Sequence, residues 1–102
     1  WMFAESEQFL LRSQALDPNS PNTLMSLAVT YHLDRQPEKE RPVLKRYLAL
    51  DPANPQALRL GIQTAGLLKD KEFADQVLAL MRQHNPAALP LAEAFVTEAF
   101  AN

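Results

Sequence analysis

The stretch Ala49-Leu50-Asp51-Pro52-Ala53-Asn54-Pro55 repeats an earlier one, Ala15-Leu16-Asp17-Pro18-Asn19-Ser20-Pro21. A shorter echo, His84-Asn85-Pro86, follows at the same spacing, so that Asp17, Asp51 and Asn85 are evenly placed along the chain. A proline just past a helix cannot continue its hydrogen-bond ladder, and it pushes the residue before it out of helical dihedrals. The break therefore falls at Asp17, Asp51 and Asn85. Ser20 and Asn54 can then cap the following helix, with Pro21 and Pro55 at its first position, where a missing N–H costs nothing. A stop, turn, cap and start written twice in register predicts stacked repeats of that period.

Between these marks the apolar residues follow a helical period. Segment 4–16 reads as a helix in which Phe9, Leu10, Leu11 and Leu16, with the preceding Phe3, form one expected stripe, and Glu5 and Glu7 stand near its start. Segment 21–34 places Leu24, Leu27, Ala28 and Tyr31 on one face. A third helix carries Val43, Leu44, Tyr47 and Leu48 and ends at Asp51. Pro37 suits its first turn. Pro42 does not, because a proline inside a helix costs about 3 kcal/mol, so a late start near Arg41 or a distorted first turn is expected. A fourth helix, 55–68, aligns Leu58, Gly61, Ile62 and Ala65. The fifth, 71–84, aligns Phe73, Ala74, Val77, Leu78 and Met81. The last starts near Pro90 and runs through Leu91, Phe95, Val96, Ala99 and Phe100. No segment alternates with period two, so no sheet is expected.

Two short helices per unit of about 34 residues, each unit closed by proline, resemble the tetratricopeptide repeat family. Leu24 stands where that family prefers tryptophan, Leu27 and Ala28 at its Leu-Gly pair, and Tyr31 at its tyrosine. Leu44, Leu48, Leu50, Asp51 and Pro52 match the second helix and its close. Ala74 holds the small position in the next unit, with Leu78 four residues later and Pro86 at the end. Leu60-Gly61 falls one residue early. Glu40 stands where a small residue is usual, Tyr47 where alanine is, and Asn85 replaces aspartate.

The resemblance implies an all-α fold: a right-handed superhelical stack of antiparallel helix pairs with about six helices. Residues 1–20 would supply a second helix, 21–54 and 55–88 full repeats, and 89–102 a capping helix. Trp1-Met2-Phe3 looks internal to a longer protein. The resemblance also implies a concave groove for a peptide or helix of a partner. Its candidate residues are Asn22, Met25, Val29 and Leu33 from one unit and Gln56, Arg59, Gln63 and Leu67 from the next, with Glu93 or Thr97 from the last helix. The lysine, arginine and asparagine set by which some members clamp a C-terminal carboxylate has no counterpart here, since Met25, Ser26 and Val29 stand at those positions and Arg59 is the only cation. A groove with Met and aliphatic side chains suits an apolar partner. The alternative for these residues is packing within their own helix pair.

Other classes fit less well. The net charge is −2 with both signs mixed, unlike the concentrated positive field that nucleic acid demands. The basic stretch from Arg35 to Arg46 also holds Glu38 and Glu40 and reads as a solvated face. Apolar runs stop short of the about 18 residues a membrane span needs, and the first residues do not read as a basic, then apolar, then small-residue signal. A soluble protein of the cytoplasm or periplasm is expected. With no cysteine, thiolate sites are excluded.

His32 and His84 are the only side chains that titrate near neutrality. His32 and Asp34 are two residues apart and so point to different helix faces, and His84 suits a helix end. Glu38, Glu40, Asp70 and Glu72 read as exposed turn carboxylates. No phosphate loop, metal pattern or nucleophile elbow is present, so neither a cofactor nor enzymatic chemistry is expected. Two further readings stand beside the scaffold. One is self-association through apolar ends formed by Trp1, Met2, Phe3 and Phe9 on one side and Phe95, Val96 and Phe100 on the other. The other is an accessory domain of a larger enzyme.

Overall fold

The computed structural model describes residues 2–101, with side chains from Glu5 onward. Its elements are α1 (Met2–Leu16), α2 (Pro21–Leu33), α3 (Pro37–Leu50), α4 (Pro55–Leu68), α5 (Lys71–His84), a 3₁₀ turn (Pro86–Ala88) and α6 (Leu89–Ala99). No strand occurs among the described residues. Each helix packs on the next in chain order, and α6 lies against both α4 and α5. The result is an all-α, solenoid-like stack.

The repeat is visible in the backbone as well as in the letters. Ser20 (φ −73°, ψ 112°) and Asn54 (φ −67°, ψ 117°) precede α2 and α4 in nearly the same conformation. Ser20 Oγ accepts from Thr23 N–H at 3.3 Å, whereas Asn54 Oδ1 accepts from Gln56 and Ala57 N–H at 2.9 and 3.1 Å. Asp51 and Asn85, one period apart, end α3 and α5 alike: their N–H groups donate to Tyr47 and Met81 carbonyls at 2.8 and 2.7 Å. Arg35 and Lys69 share the same period, and both take the left-handed φ of 55°. Each is followed by a bond back across the helix end, Gln36 N–H to Tyr31 O and Asp70 N–H to Ala65 O, both 2.9 Å. A non-glycine residue in that conformation costs about 1–2 kcal/mol, so two such turns reflect tertiary demand for a tight reversal.

The core collects the faces expected from spacing. Leu24, Leu27, Ala28 and Tyr31 are buried, as are Leu44, Tyr47, Leu48, Leu58, Ile62, Ala65, Phe73, Ala74, Val77 and Met81. Gly61 and Gly66 are the two glycines of α4. A Cβ at Gly61 would meet Val77 Cγ2 of α5 at 3.0 Å, and the contact at Gly66 is tighter still: a Cβ there would meet Phe95 Cε1 at 2.8 Å and Ala99 Cβ at 3.2 Å, so its bare backbone lets α6 approach.

Three expectations need correction, on α3, α1 and Glu40. α3 does not start late. Pro37 occupies its first position, and the Gln36 carbonyl accepts from Lys39 and Glu40 N–H at 3.1 and 3.0 Å, so the helix is under way a turn before Pro42. Pro42 then forfeits one internal bond, and its ring lies exposed.

The apolar stripe of α1 is not covered: Phe9 is 69% and Leu16 88% exposed, with Leu11 exposed and Leu10 half-buried. Among the described residues α1 packs mainly along α2, with one ion pair from Glu7 to Lys39 of α3, so much of its surface meets no other helix. In α6 the buried pair is Ala92 and Val96, one turn apart, while Leu91 is 81% exposed. Glu40 is not an exposed turn residue. It is 1% exposed, inside α3.

Candidate functional site

A cavity of about 700 Å³ opens between α4 and α6, closed at one end by the last turn of α5. Gly66 and the buried Ala92 and Val96 hold α6 against α4, which leaves the larger side chains of α6 to form a wall. Ile62, Met81 and Ala92 are the buried floor; Leu91 and Phe95 rise beside them from α6. Gln56, Arg59 and Gln63 line the α4 side, and Asn85 and Ala88 stand near the turn. Three, four and seven residues separate the α4 lining positions, so Gln56, Arg59 and Gln63 form one stripe along that helix.

Of the candidate groove residues, Gln56, Arg59 and Gln63 thus meet in one cleft. Leu67 is exposed on the same helix and does not line it. From α2, Met25 and Val29 are partly buried and pack against the core, while Asn22 and Leu33 are exposed. Glu93 and Thr97 are exposed on α6 outside the lining, and Leu91 and Phe95 take the place expected of them. Leu91 was legible as an apolar residue one position before the buried Ala92. What the sequence lacked was the face on which it sits.

The charges around the cleft are simple. No aspartate or glutamate lines it, and Arg59 is exposed with no ion pair or hydrogen bond among the described residues. Arg12, Arg35, Arg46 and Arg82 likewise make no ion pair among the described residues, but none of them lines the cleft; three other cations are paired. Arg41 Nη1 lies 2.9 Å from Asp70 Oδ2, Lys39 Nζ lies 3.5 Å from Glu7 and Lys71 Nζ 2.7 Å from Asp75. Asp70 also accepts from Phe73 N–H at 3.0 Å; that backbone bond and Arg41 together hold its carboxyl below the ordinary range.

Buried polar groups tie the helices together. Tyr31 donates to Glu7 Oε2 at 2.9 Å, joining α2 to α1, and burial with the carboxylate beside it pushes the phenol up to about 12. Tyr47 is large where alanine was the expected residue. Its hydroxyl donates to Asp51 at 3.2 Å and accepts from Asn54 Nδ2 at 2.9 Å, fastening the α3–α4 turn. Glu40 Oε2 sits 3.4 Å from His32 Nδ1, with the buried Thr64 hydroxyl nearby. Neither Glu40 Oε2 nor Thr64 Oγ1 has a hydrogen-bond partner among the described residues. His32 therefore faces Glu40 rather than Asp34.

A second cavity of about 380 Å³ lies between α1 and α2, lined by Glu5, Ser6, Phe9, Leu10 and Thr30. Trp1 lies outside the described residues, as do the side chains of Met2 and Phe3. At the other end Val96 is buried and Phe100 packs against the core, so the expected apolar end there is smaller than its letters imply. Among the described residues no helix is long and apolar enough to cross a membrane. Compared with known protein families, curated proteins and solved structures, the chain matches none.

Proposed function

We propose that this chain is a protein-interaction scaffold of the tetratricopeptide-repeat kind, which holds a peptide or helix of a partner protein in the cleft between α4 and α6. The observation that carries this reading is the cleft's wall: Leu91 and Phe95 stay 81% and 41% exposed above an apolar floor. Large apolar side chains converging on a concavity of this size are the usual make-up of a binding site. The recurring cap and turn geometry supports the repeat assignment. This reading assigns the chain a non-catalytic role; the polar cluster of His32, Glu40 and Thr64 does not line the cleft.

Selection of random twelve-residue peptides displayed on phage tests it. Enriched peptides should share a large apolar anchor and lose binding to Leu91→Glu, whose thermal midpoint stays within about 2–4 °C of the parent because the site is exposed. Equal enrichment on the parent and on Leu91→Glu would contradict the cleft assignment.

A second reading, self-association, draws on the uncovered face of α1, where Phe9 and Leu16 are exposed. Light scattering across micromolar concentrations tests it. A rising mass abolished by Phe9→Ser supports it, and a monomer throughout contradicts it.

A further inference from the structure

We infer that the partner segment is an extended peptide carrying an aspartate or glutamate within two residues of a large apolar anchor, with its carboxylate paired to Arg59. This rests on the cleft being the binding site. Arg59 is the only charged side chain among those lining it, and no acidic side chain among the described residues engages its guanidinium. The remaining polar lining consists of neutral amides: Gln56 and Gln63 to either side of Arg59, Asn85 near the turn, and Asn54, whose amide is already engaged in capping α4 and bonding Tyr47. The cleft therefore has a positive sign, set by one residue. A carboxylate arriving there gains a charge-assisted bond, and a lysine or arginine meets repulsion.

Conformation follows from the same stripe. Gln56 to Gln63 spans seven residues of helix, about 10 Å at 1.5 Å per residue. An extended chain rises about 3.3 Å per residue, so about three of its residues lie beside the stripe. Its backbone N–H and C=O groups are unpaired and can bond to the glutamine amides, which both donate and accept. A helix has already satisfied its own backbone and leaves those amides without partners. Side chains of an extended chain alternate, so one residue drops its anchor onto Ile62 and Met81 while a neighbour turns toward the rim at Arg59. Apolar contact supplies the affinity, and Arg59 supplies the choice among apolar peptides.

The test uses the peptides selected above on the full chain, with the acidic residue of each replaced in turn by asparagine and by lysine. Titration calorimetry at 50 mM salt should show about fivefold weaker binding for the asparagine peptide and a larger loss for the lysine peptide. Arg59→Gln should bind the acidic and asparagine peptides equally, and Arg59→Glu should prefer the lysine peptide. Raising salt to 500 mM should narrow the difference on the parent. Selected peptides with no acidic preference, or a preference that survives Arg59→Gln, would overturn this inference while leaving the cleft assignment intact. No enrichment of any apolar peptide would overturn both.

Discussion

The carboxylate of Glu40 lies 3.4 Å from the imidazole of His32, and the two groups differ sharply in their contact with water: 1% of the Glu40 side chain is exposed against 33% of His32. Burial pushes the Glu40 carboxyl above its ordinary 4.5, while the charge of His32 pulls it partly back. A folded-state value above the unfolded one means that the native protein holds this proton more tightly. The associated stability is fully present below pH 4.5 and is lost as pH rises through the folded value. At pH 7 the buried carboxyl is thus a net cost to the fold. Glu40→Gln should therefore raise the urea midpoint at pH 7. Its advantage should shrink steadily in titrations carried down to pH 4. A lower midpoint at pH 7 would mean that the pair with His32 outweighs desolvation.

Gly66→Ala sets helix propensity against packing. Alanine favours a helix interior by about 1 kcal/mol over glycine, but the added methyl crowds Phe95 and Ala99. Overpacking of this kind costs about 1–3 kcal/mol. A net loss of about 1 kcal/mol is expected in denaturant unfolding, together with weaker peptide binding as Phe95 is displaced from the cleft wall. Ring signals of Phe95 that do not move in NMR spectra would count against that route.

The two matching caps should differ in worth. Asn54 satisfies two helix N–H groups and also bonds the Tyr47 hydroxyl, whereas Ser20 makes one bond at 3.3 Å. Asn54→Ala should cost about 2 kcal/mol and Ser20→Ala about 0.5–1 kcal/mol by urea denaturation. Equal losses would show that the Tyr47 contact adds nothing.

Truncations should sort the core from the surface. Leu58→Ala removes a side chain with no exposure and should cost about 2–5 kcal/mol in thermal or urea unfolding. Leu33→Ala and Leu67→Ala, both at exposed sites, should stay within about 0.5 kcal/mol of the parent. Met25→Glu belongs with the first group, because Met25 packs against the core instead of facing open solvent.

The sequence carried the local part of this fold well. Caps at Ser20 and Asn54, the first-position prolines and the buried faces of α2, α4 and α5 all depend on neighbours within a turn or two. Side-chain period and turn chemistry therefore predict them. What escaped was decided between helices. Glu40 read as a turn carboxylate because it follows Pro37 among charged residues, yet α4 places the Thr64 hydroxyl beside it. The signal was present in the period itself. Ala74, which holds the equivalent place in the next repeat, is wholly buried, so the Glu40 site should face inward too. The stripe of α1 misled in the opposite sense, since apolar spacing says which residues share a face and not whether another helix covers it. In the cleft, Gln56, Arg59 and Gln63 were reachable from the repeat frame. Leu91 and Phe95 depended on how α6 seats against Gly66.

Methyl NMR during titration with a selected acidic peptide tests the central claim most directly. Shifts confined to Ile62, Met81 and Leu91, saturating together and abolished in Leu91→Glu, are the predicted result. Shifts centred on Leu10, Leu11 and Leu16 of α1, with the cleft methyls unmoved, would contradict it.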